Sequence, residues 1–261
     1  MKFRCLLALA VACLSLVGVA RAEDSLVLHD GTIHKGKVIV RSGTYTVIEG
    51  KKLYQFYRRE VKEVNGEKVV TDDPVAVIKT DVGDIKVVLY EEEAPNTVAN
   101  FIALAEQGHY KGLGFHRIIP GFMAQGGCPN SKAGATGVPG QGGPGYTIKD
   151  EVHPQLNHTG RGILAMAKTA APNSAGSQFY LCFQPRPDLD GSYTVFGRVI
   201  EGIEVLDQLE AVGTADGMPT KTIRFDVQVL SKQEHPYTVQ KIGERQAPAR
   251  PMAPPKPAPG K

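Results

Sequence analysis

Residues 115–127 read Phe-His-Arg-Ile-Ile-Pro-Gly-Phe-Met-Ala-Gln-Gly-Gly, and this stretch decides the fold. Its one guanidinium, on Arg117, stands among Phe, Ile and Met side chains. A buried arginine must be hydrogen-bonded or face a polar object, because an unpaired buried charge is costly. Strand alternation predicts that Arg117 and Ile119 share one surface. Beyond the Pro-Gly bend, some of the next side chains are predicted to lie around the same surface. The candidates are Phe122, Met123 and Gln125.

This predicted surface combines apolar walls with the N–H donors of the Arg117 guanidinium and the side-chain amide of Gln125. Such a surface can bind a peptide bond next to an apolar ring. From this segment alone, the alternative is a core strand whose arginine reaches out to solvent. Three further motifs follow along the chain: GILAMA at 162–167, PNSAGSQFYL at 172–181 and LDGSYTVFG at 189–197. With residues 115–127, they resemble the motifs of the cyclophilin-type peptidyl-prolyl isomerases, in the same order. The resemblance runs from about Val75 to about Leu230.

The resemblance implies a mainly β fold, a closed antiparallel barrel capped by two helices and here preceded by a small all-β module. It also implies a peptidyl-prolyl cis-trans isomerase that acts on X-Pro segments of unfolded or flexible polypeptides without a cofactor. Arg117 matches the catalytic arginine of the family. The positions that match its substrate-binding surface are Ile119, Phe122, Met123, Gln125, Ala167, Lys168, Gln178, Tyr180, Leu189 and Tyr193.

The implied reaction needs no nucleophile. Rotation about an X-Pro amide crosses roughly 18–20 kcal/mol because it breaks amide resonance. In the twisted state the prolyl nitrogen gains a lone pair, which a fixed guanidinium can hydrogen-bond, whereas a lysine charge is compact and mobile. A competing hypothesis is a proline-peptide-binding module or chaperone that keeps the fold and lacks turnover. The presence of Arg117 favours the enzyme.

Three positions depart from the family's common pattern. Tyr180 stands where phenylalanine is usual, so its added hydroxyl must reach water or a partner. Tyr193 stands where many members have histidine, and it can still donate one hydrogen bond. The loop at 167–171 is one residue longer than the commonest version, with Lys168 where asparagine is frequent. We therefore expect an intact proline pocket beside an altered groove.

The first residues have the pattern of a secretory signal peptide. Lys2 and Arg4 precede an apolar stretch that runs from Cys5 to Ala20. Ala20-Arg21-Ala22 is then a small-x-small cleavage site. Because the stretch is shorter than a comfortable membrane span, we expect export to the periplasm or the medium. The alternative is lipoprotein processing before Cys13, which would attach the protein to a membrane.

Removal of this peptide would leave a mature chain without net charge. The formal charge is +3, from 30 basic and 27 acidic side chains, and three of the basic ones lie in the first 22 residues. No basic stripe remains, which argues against nucleic acid as a partner. The seven histidines are scattered, so no metal site is expected. Cys128 and Cys182 remain, and Cys182 is expected to be a buried small apolar side chain rather than half of a bridge.

Residues 23–72 are predicted to form the small all-β module. Asp30-Gly31 favours a two-residue hairpin turn between β-branched runs at 26–29 and 32–34, and three further short runs follow. About five short strands suggest a small barrel, which loosely resembles SH3-like or Sm-like folds. The alternative is a set of extra strands packed directly on the larger domain. No function of the module can be derived from its sequence.

Two helices and a half-buried strand can be placed in the larger domain. Residues 94–107 show a helical period, with Pro95 suited to the first turn and Gly108 to the C-terminal cap. Residues 203–210 are a second short helix. Apolar and polar side chains alternate over residues 223–229, which predicts a strand with one buried face.

The chain is thus predicted to divide into a signal peptide at 1–22, the module at 23–72, an isomerase domain at 74–231 and a Pro/Ala-rich disordered tail at 232–261. The protein is expected to be a monomer. Gly140–Gly145 matches G-x-G-x-x-G, but prolines frame it and no helix is expected to follow, so we expect no nucleotide site. The match resembles instead the glycine-rich loop that borders the groove of the family.

Overall fold

The computed structural model describes residues 23–29, 31–41, 44–57, 61–69 and 72–243. The predicted signal peptide, the alternative lipoprotein cysteine Cys13, Asp30 of the predicted turn and the tail beyond residue 243 lie outside these residues. Within them, the chain forms two antiparallel β-sheets and two α-helices. Neither of these helices is long and apolar enough to cross a membrane.

The smaller sheet forms the N-terminal module. Its six described strands are β1 (Asp24–Leu28), β2 (Ile33–Arg41), β3 (Thr44–Glu49), β4 (Lys52–Tyr57), β5 (Val61–Val64) and β6 (Glu67–Lys68). They lie in the order β4-β3-β2-β1-β5-β6, and β1 pairs with β2 on either side of Gly31. Leu26, Val47 and Val61 are fully buried in an apolar cluster separate from those of the larger sheet. The module therefore has a core of its own, as the small-barrel interpretation requires.

The larger sheet is curled, and one continuous segment forms both of its ends. Its nine described strands are β7 (Val75–Thr80), β8 (Gly83–Leu89), β9 (Leu113–Gly114), β10 (Arg117–Ile119), β11 (Met123–Gly126), β12 (Ile163–Met166), β13 (Phe179–Cys182), β14 (Val195–Glu201) and β15 (Arg224–Ser231). Their order is β10-β11-β13-β12-β14-β8-β7-β15-β9. Between the end strands, Phe115 donates its N–H to Ile223 O (3.0 Å) and His116 donates its N–H to Gln125 O (3.1 Å). Since this segment bonds to both ends of the sheet, it closes the predicted barrel.

The middle strands of this sheet are buried on both faces. Phe179 of β13 points into the barrel core, while Tyr180 and Cys182 point to a second apolar cluster outside the barrel. Cys182 is fully buried, as predicted for a small apolar side chain. At the end of β11, Gly126 is required because a Cβ there would lie 2.8 Å from the Phe225 ring. The same strands thus separate the core from the outer surface on which the predicted site lies.

The two helices are α1 (Pro95–Glu106) and α2 (Val205–Ala211), and each end lies within two residues of its prediction. The N-terminal N–H groups of α1 bind a distant carboxylate, because Glu151 accepts hydrogen bonds from Asn96 N (3.1 Å) and Thr97 N (2.7 Å). Gly108, with a φ of +73°, follows the helix as predicted. The predicted apolar stripe of α1 is buried in the barrel core: Val98, Phe101, Ile102 and Ala105.

The module contacts the larger domain at His29, directly after β1. Burial, together with the nearby Arg198, lowers the pKa of His29 to about 4, and its side chain hydrogen-bonds with the backbone of Ile200 in β14. The imidazole is therefore neutral at pH 7, which avoids a second cation beside the buried Arg198. The two predicted arrangements, a module with its own core and strands packed on the larger domain, each describe part of this geometry.

Residues 232–243 contradict the prediction of a disordered tail that begins at residue 232. Tyr237 donates its hydroxyl to Glu91 (2.7 Å) and packs its ring against the barrel core. Asn96 exchanges two hydrogen bonds with the backbone of Gln240 (3.1 and 2.7 Å). Composition did not reveal this docking, because one aromatic ring and a few backbone hydrogen bonds are enough to hold a short segment. Residues 244–261 lie outside the described residues.

We expect the fragments 74–231 and 74–243 both to fold, and the longer one to require more urea for unfolding. The longer fragment keeps the hydrogen bonds and ring packing of Tyr237, worth about 1–3 kcal/mol in the free energy of unfolding. Circular dichroism measures this free energy in a chain that has no tryptophan. Tyr237→Phe in the longer fragment is the matched control, since it removes the hydroxyl alone. Equal stability of the two fragments would contradict the docked segment, and an insoluble shorter fragment would show that residues 232–243 support the barrel.

Candidate functional site

The outer face of the barrel carries an apolar cluster that contains most of the predicted site. Its centre is formed by buried side chains of five strands, among them Met123 and Tyr180. Seven of the predicted substrate-binding side chains belong to this one cluster: Ile119, Phe122, Met123, Ala167, Tyr180, Leu189 and Tyr193. Residues that are up to 74 positions apart in the sequence, Ile119 and Tyr193, therefore share one surface.

The pairing of β10 with β11 places the arginine at the edge of this cluster. Arg117 lies opposite Gln125 and Ile119 opposite Met123, while Ile118 between them is buried in the barrel core. Arg117 and Ile119 thus face the same side, as strand alternation predicted. Arg117 is exposed on the rim, so it is not an unpaired buried charge. Its charge keeps contact with water, so burial imposes no need for a permanent partner.

Arg117 is held by its stem rather than by an ion pair. A Cβ on Gly217, whose φ is +86°, would lie 3.0 Å from Cγ of Arg117, and Ile118 donates its N–H to Gly217 O (2.9 Å). At the other end, one guanidinium nitrogen lies 3.5 Å from Gln125 Oε1, and the guanidinium carbon lies 5.7 Å from the centre of the Phe122 ring. Among the described residues no carboxylate pairs with Arg117, so most of its N–H donors remain for a ligand. No pattern in the sequence points to Gly217.

A chain of amides fixes the side chain of Gln125. Its Nε2 donates to Gln178 Oε1 (2.9 Å), and Gln178 Nε2 donates in turn to Gly140 O and Gly142 O (2.8 Å each). Because Nε2 of Gln125 is used in this way, its Oε1 is left to face Arg117. Gln125 and Gln178, both predicted site residues, are therefore brought together, and Gln178 links them to the glycine-rich loop.

The glycine-rich loop is also held by a buried thiol. Cys128 is fully buried, and its Sγ accepts hydrogen bonds from Gly140 N (3.1 Å) and Gly142 N (3.2 Å). The loop borders a cleft of about 920 Å³ that is also lined by Gln125 and Gln178. Sequence reasoning treated Cys128 only as a remaining cysteine, since nothing in its neighbours marks a sulfur as an acceptor for a loop.

The longer loop after β12 forms the other side of this cleft. Lys168, which lines the cleft, binds Asp150 through an ion pair of 2.9 Å, and its Nζ lies 5.8 Å from the centre of the Tyr193 ring. Asp150 Oδ2 also accepts the N–H of Asn173, which has a φ of +57°. The side chain of Lys168 therefore contacts residues of the larger domain, Asp150 and Tyr193.

The added hydroxyl of Tyr180 has the partner that its position demanded. It lies 2.8 Å from His158 Nε2, and His158 Nδ1 lies 2.8 Å from Asp190 Oδ1. A carboxylate only accepts hydrogen bonds, so Nδ1 carries the proton and Nε2 accepts from Tyr180. Burial lowers the pKa of His158, although Asp190 opposes this effect, and the ring is neutral at pH 7. Asp190 follows the predicted pocket residue Leu189, so these hydrogen bonds connect the segment of Leu189 with Tyr180 in β13.

A second arginine, Arg186, covers the ring of Phe122, and sequence reasoning missed it. The guanidinium carbon of Arg186 lies 3.8 Å from the centre of the Phe122 ring, within the range of a cation–π contact. Asp188 holds it with two hydrogen bonds, from Nε (2.8 Å) and Nη2 (2.6 Å), and this lowers the pKa of Asp188. The pair lies only two residues apart in the sequence, but nothing there predicts that it would fold over Phe122.

The residues near the arginine provide no metal site. In the described part of the chain, no group of three or more His, Cys, Asp or Glu side chains could hold a metal ion. His116, next to Arg117, is kept neutral because burial and that cation lower its pKa to about 4. The arrangement therefore offers one exposed guanidinium, two linked amides and an apolar surface.

Residues 75–231 match a family described as cyclophilin-type peptidyl-prolyl cis-trans isomerase/CLD. A peptidyl-prolyl cis-trans isomerase of Helicobacter pylori is 45% identical over 146 residues, which cover 55% of this chain and 85% of that protein. One from Synechococcus elongatus is 47% identical over 125 residues, which cover 47% of this chain and 78% of that protein. A crystal structure of a cyclophilin-type isomerase from Cryptosporidium parvum, obtained in the presence of the dipeptide Ala-Pro, gives a TM-score of 0.56 at 36% identity. It covers 60% of this chain and 99% of that one.

We expect Tyr180→Phe to lower the free energy of unfolding by about 1–3 kcal/mol, because it leaves His158 Nε2 buried without a donor. Urea unfolding followed by circular dichroism measures the change. Tyr193→Phe is the matched control. The ring of Tyr193 packs edge-on against Tyr180, but its hydroxyl has no hydrogen-bond partner among the described residues. We expect the control to change the free energy by less than about 0.5 kcal/mol. Equal effects of the two substitutions would contradict a structural role for the Tyr180 hydroxyl.

Proposed function

Because the chain belongs to the cyclophilin family and is a peptidyl-prolyl cis-trans isomerase, we propose that it isomerises X-Pro bonds by holding a twisted amide between Arg117 and the outer apolar cluster. The single observation that carries this mechanism is an exposed guanidinium, held by its stem and without a carboxylate partner among the described residues, at the edge of an apolar surface. No bond is made or broken, and neither a metal nor a cofactor has a step to perform.

The energy that the site must supply is modest. Uncatalysed exchange of an X-Pro bond takes tens to hundreds of seconds. Since each factor of ten in rate corresponds to 1.36 kcal/mol, an acceleration of about a hundred-thousandfold requires about 7 kcal/mol. This energy must come from contacts that are stronger in the twisted state than in either planar state. Binding of the proline ring alone stabilises both states equally and does not accelerate the reaction.

The donor that distinguishes the twisted state is Arg117. When the amide twists, the prolyl nitrogen becomes pyramidal and gains a lone pair that can accept a hydrogen bond. The stem contact with Gly217 and the nearby Gln125 Oε1 limit the positions of the guanidinium. A donor that is already oriented needs no reorganisation as the reaction proceeds, which is the condition for effective electrostatic stabilisation.

The apolar cluster provides the grip on the proline ring. Phe122 and Leu189 are partly exposed members of the cluster, and Met123 is a buried member of it. Arg186 stacks on Phe122 and is held by Asp188, which limits the rotation of that ring. The ring of the substrate stays in place while the preceding carbonyl rotates. The second N–H of Gln125 Nε2 and the main chain around Lys168 bind the carbonyls of the substrate.

The substrates are X-Pro segments of unfolded or flexible polypeptides. An extended chain can enter the open cleft beside Gln125, and the isomerase from C. parvum was crystallised in the presence of Ala-Pro, which supports this substrate class. Export directs the enzyme to the folding of periplasmic or secreted proteins. The support for export is the charged start, the apolar stretch and the cleavage site within residues 1–22.

Arg117→Ala is expected to lower kcat/KM on a short X-Pro peptide at least about a hundredfold, equal to roughly 2.7 kcal/mol. The fold should be unchanged, because the side chain is exposed. A protease-coupled isomerisation assay measures the rate, and circular dichroism checks the fold. Arg117→Lys keeps the charge and loses the fixed fork, so we expect it to remain impaired. Lys111→Ala, at an exposed position of another loop, is the surface control. Turnover close to that of the unchanged protein in a folded Arg117→Ala variant would refute the mechanism.

Export predicts a mature protein that begins at Glu23 when the full sequence is expressed in a Gram-negative host. Mass spectrometry of the periplasmic fraction identifies the first residue. Ala20→Leu with Ala22→Leu is the matched control, because it removes the small side chains of the cleavage site and should leave the leader attached. Lipid on Cys13 would support the lipoprotein alternative. An intact Met1 in the cytoplasm would contradict export.

A further inference from the structure

The C-terminal segment ends at the substrate cleft. After Tyr237, the chain reaches Ile242, which exchanges two backbone hydrogen bonds with Thr147 (3.0 and 2.7 Å). The next residue, Gly243, lines the cleft together with Gln125 and Gln178. The backbone of the described chain is thus fixed up to the rim of the cleft, and residues 244–261 continue from there.

The sequence that continues from this rim has the composition of a substrate. Residues 244–261 contain six X-Pro bonds. Three of them are Ala-Pro: Ala247-Pro248, Ala253-Pro254 and Ala258-Pro259. No bulky aromatic side chain occurs among these residues, so they have little means to form a core of their own.

We propose that residues 244–261 bind in the cleft of the same molecule and present their X-Pro bonds to Arg117, as a tethered competitor of external substrates. The proposal rests on the function proposed above for the cleft and for Arg117. It adds a ligand that is part of the chain, and it predicts that the enzyme isomerises its own C-terminal segment.

The tether is long enough for this purpose. A chain spans at most about 3.3–3.6 Å per residue, so Pro248, five residues after Gly243, reaches up to about 18 Å. For Pro254, eleven residues away, a flexible chain has a root-mean-square extension of roughly 17–20 Å. Gly243 and Gln125 both line the cleft, and Gln125 Oε1 lies 3.5 Å from Arg117. We therefore expect the first two Ala-Pro bonds to reach the edge of the cleft at which Arg117 lies.

Charge does not oppose this binding. The segment carries four basic side chains and one acidic one, Glu244. Lys168 is the charged side chain that lines the cleft, and its ion pair with Asp150 offsets its charge. The remaining lining consists largely of glycines, amides and hydroxyls, which can bind peptide groups without selecting a charge. A short flexible tether gives an effective concentration in the millimolar range, so even a weak X-Pro ligand occupies the cleft for part of the time.

The test compares residues 23–261 with residues 23–243. We expect removal of residues 244–261 to lower KM for a short Ala-Pro peptide about two- to tenfold with kcat unchanged, since a millimolar competitor is lost. In nitrogen-15 spectra, the amide signals of Lys168 and Gln178 should shift on truncation and return when a synthetic peptide of residues 244–261 is added. Cis and trans signals of Ala253-Pro254 should exchange faster in the full chain than in that peptide alone.

Two controls separate proline recognition from charge. Replacement of all six prolines of residues 244–261 by alanine should give the KM of the truncated protein. Replacement of Arg245, Arg250, Lys256 and Lys261 by glutamine should leave KM as in the full chain. Equal KM values and unshifted signals on truncation would overturn the proposal, and so would a shift that grows with protein concentration, which would show that a second copy supplies the segment. If Arg117→Ala retains turnover while truncation still shifts the signals, the catalytic role of Arg117 fails and the tethered competitor stands.

Discussion

The segment from Leu113 to Ile119 bonds to both ends of the larger sheet, and the geometry of the site depends on this closure. Phe115 is bound to the strand end at Ile223 and His116 to Gln125, so the chain cannot shift along either partner independently. The closure sets the register of β10 on β11, which places Arg117 opposite Gln125. A slip of one residue would turn Ile118 outward and Arg117 into the barrel core. The position of the guanidinium is therefore a property of the whole barrel.

The family and the main elements could be predicted from the sequence because they depend on short-range patterns. The strand-turn-strand pattern of residues 115–127 and the helical period from residue 94 each record which side chains face the core. Seven apolar positions carried over from the family meet in one cluster for the same reason, since in-register motifs imply a common barrel. Their individual roles in substrate binding remain predictions.

The residues that sequence reasoning missed act through long-range contacts. Gly217 supports Arg117 from a loop a hundred positions later, and Cys128 Sγ binds a glycine loop that follows it by twelve residues. Arg186 selects the face of Phe122, which lies far from it in the chain. In the C-terminal segment, the amino-acid composition predicts disorder and therefore does not reveal that Tyr237 docks on the barrel. None of these contacts leaves a periodic signal, because each depends on where two separate segments meet.

The double burial of β13 has an evolutionary consequence. Phe179 and Tyr180 are neighbours in the chain, yet one fills the barrel core and the other belongs to the outer apolar cluster. A mutation in β13 that reshapes the outer cluster therefore also changes the wall of the barrel. Adaptation to new substrates is easier at the partly exposed rim, where Lys168 and Arg186 stand on loops outside the strands. The strands are expected to drift slowly and the rim quickly, so relatives of this enzyme would share a proline pocket while they differ in the residues that read the sequence around the proline.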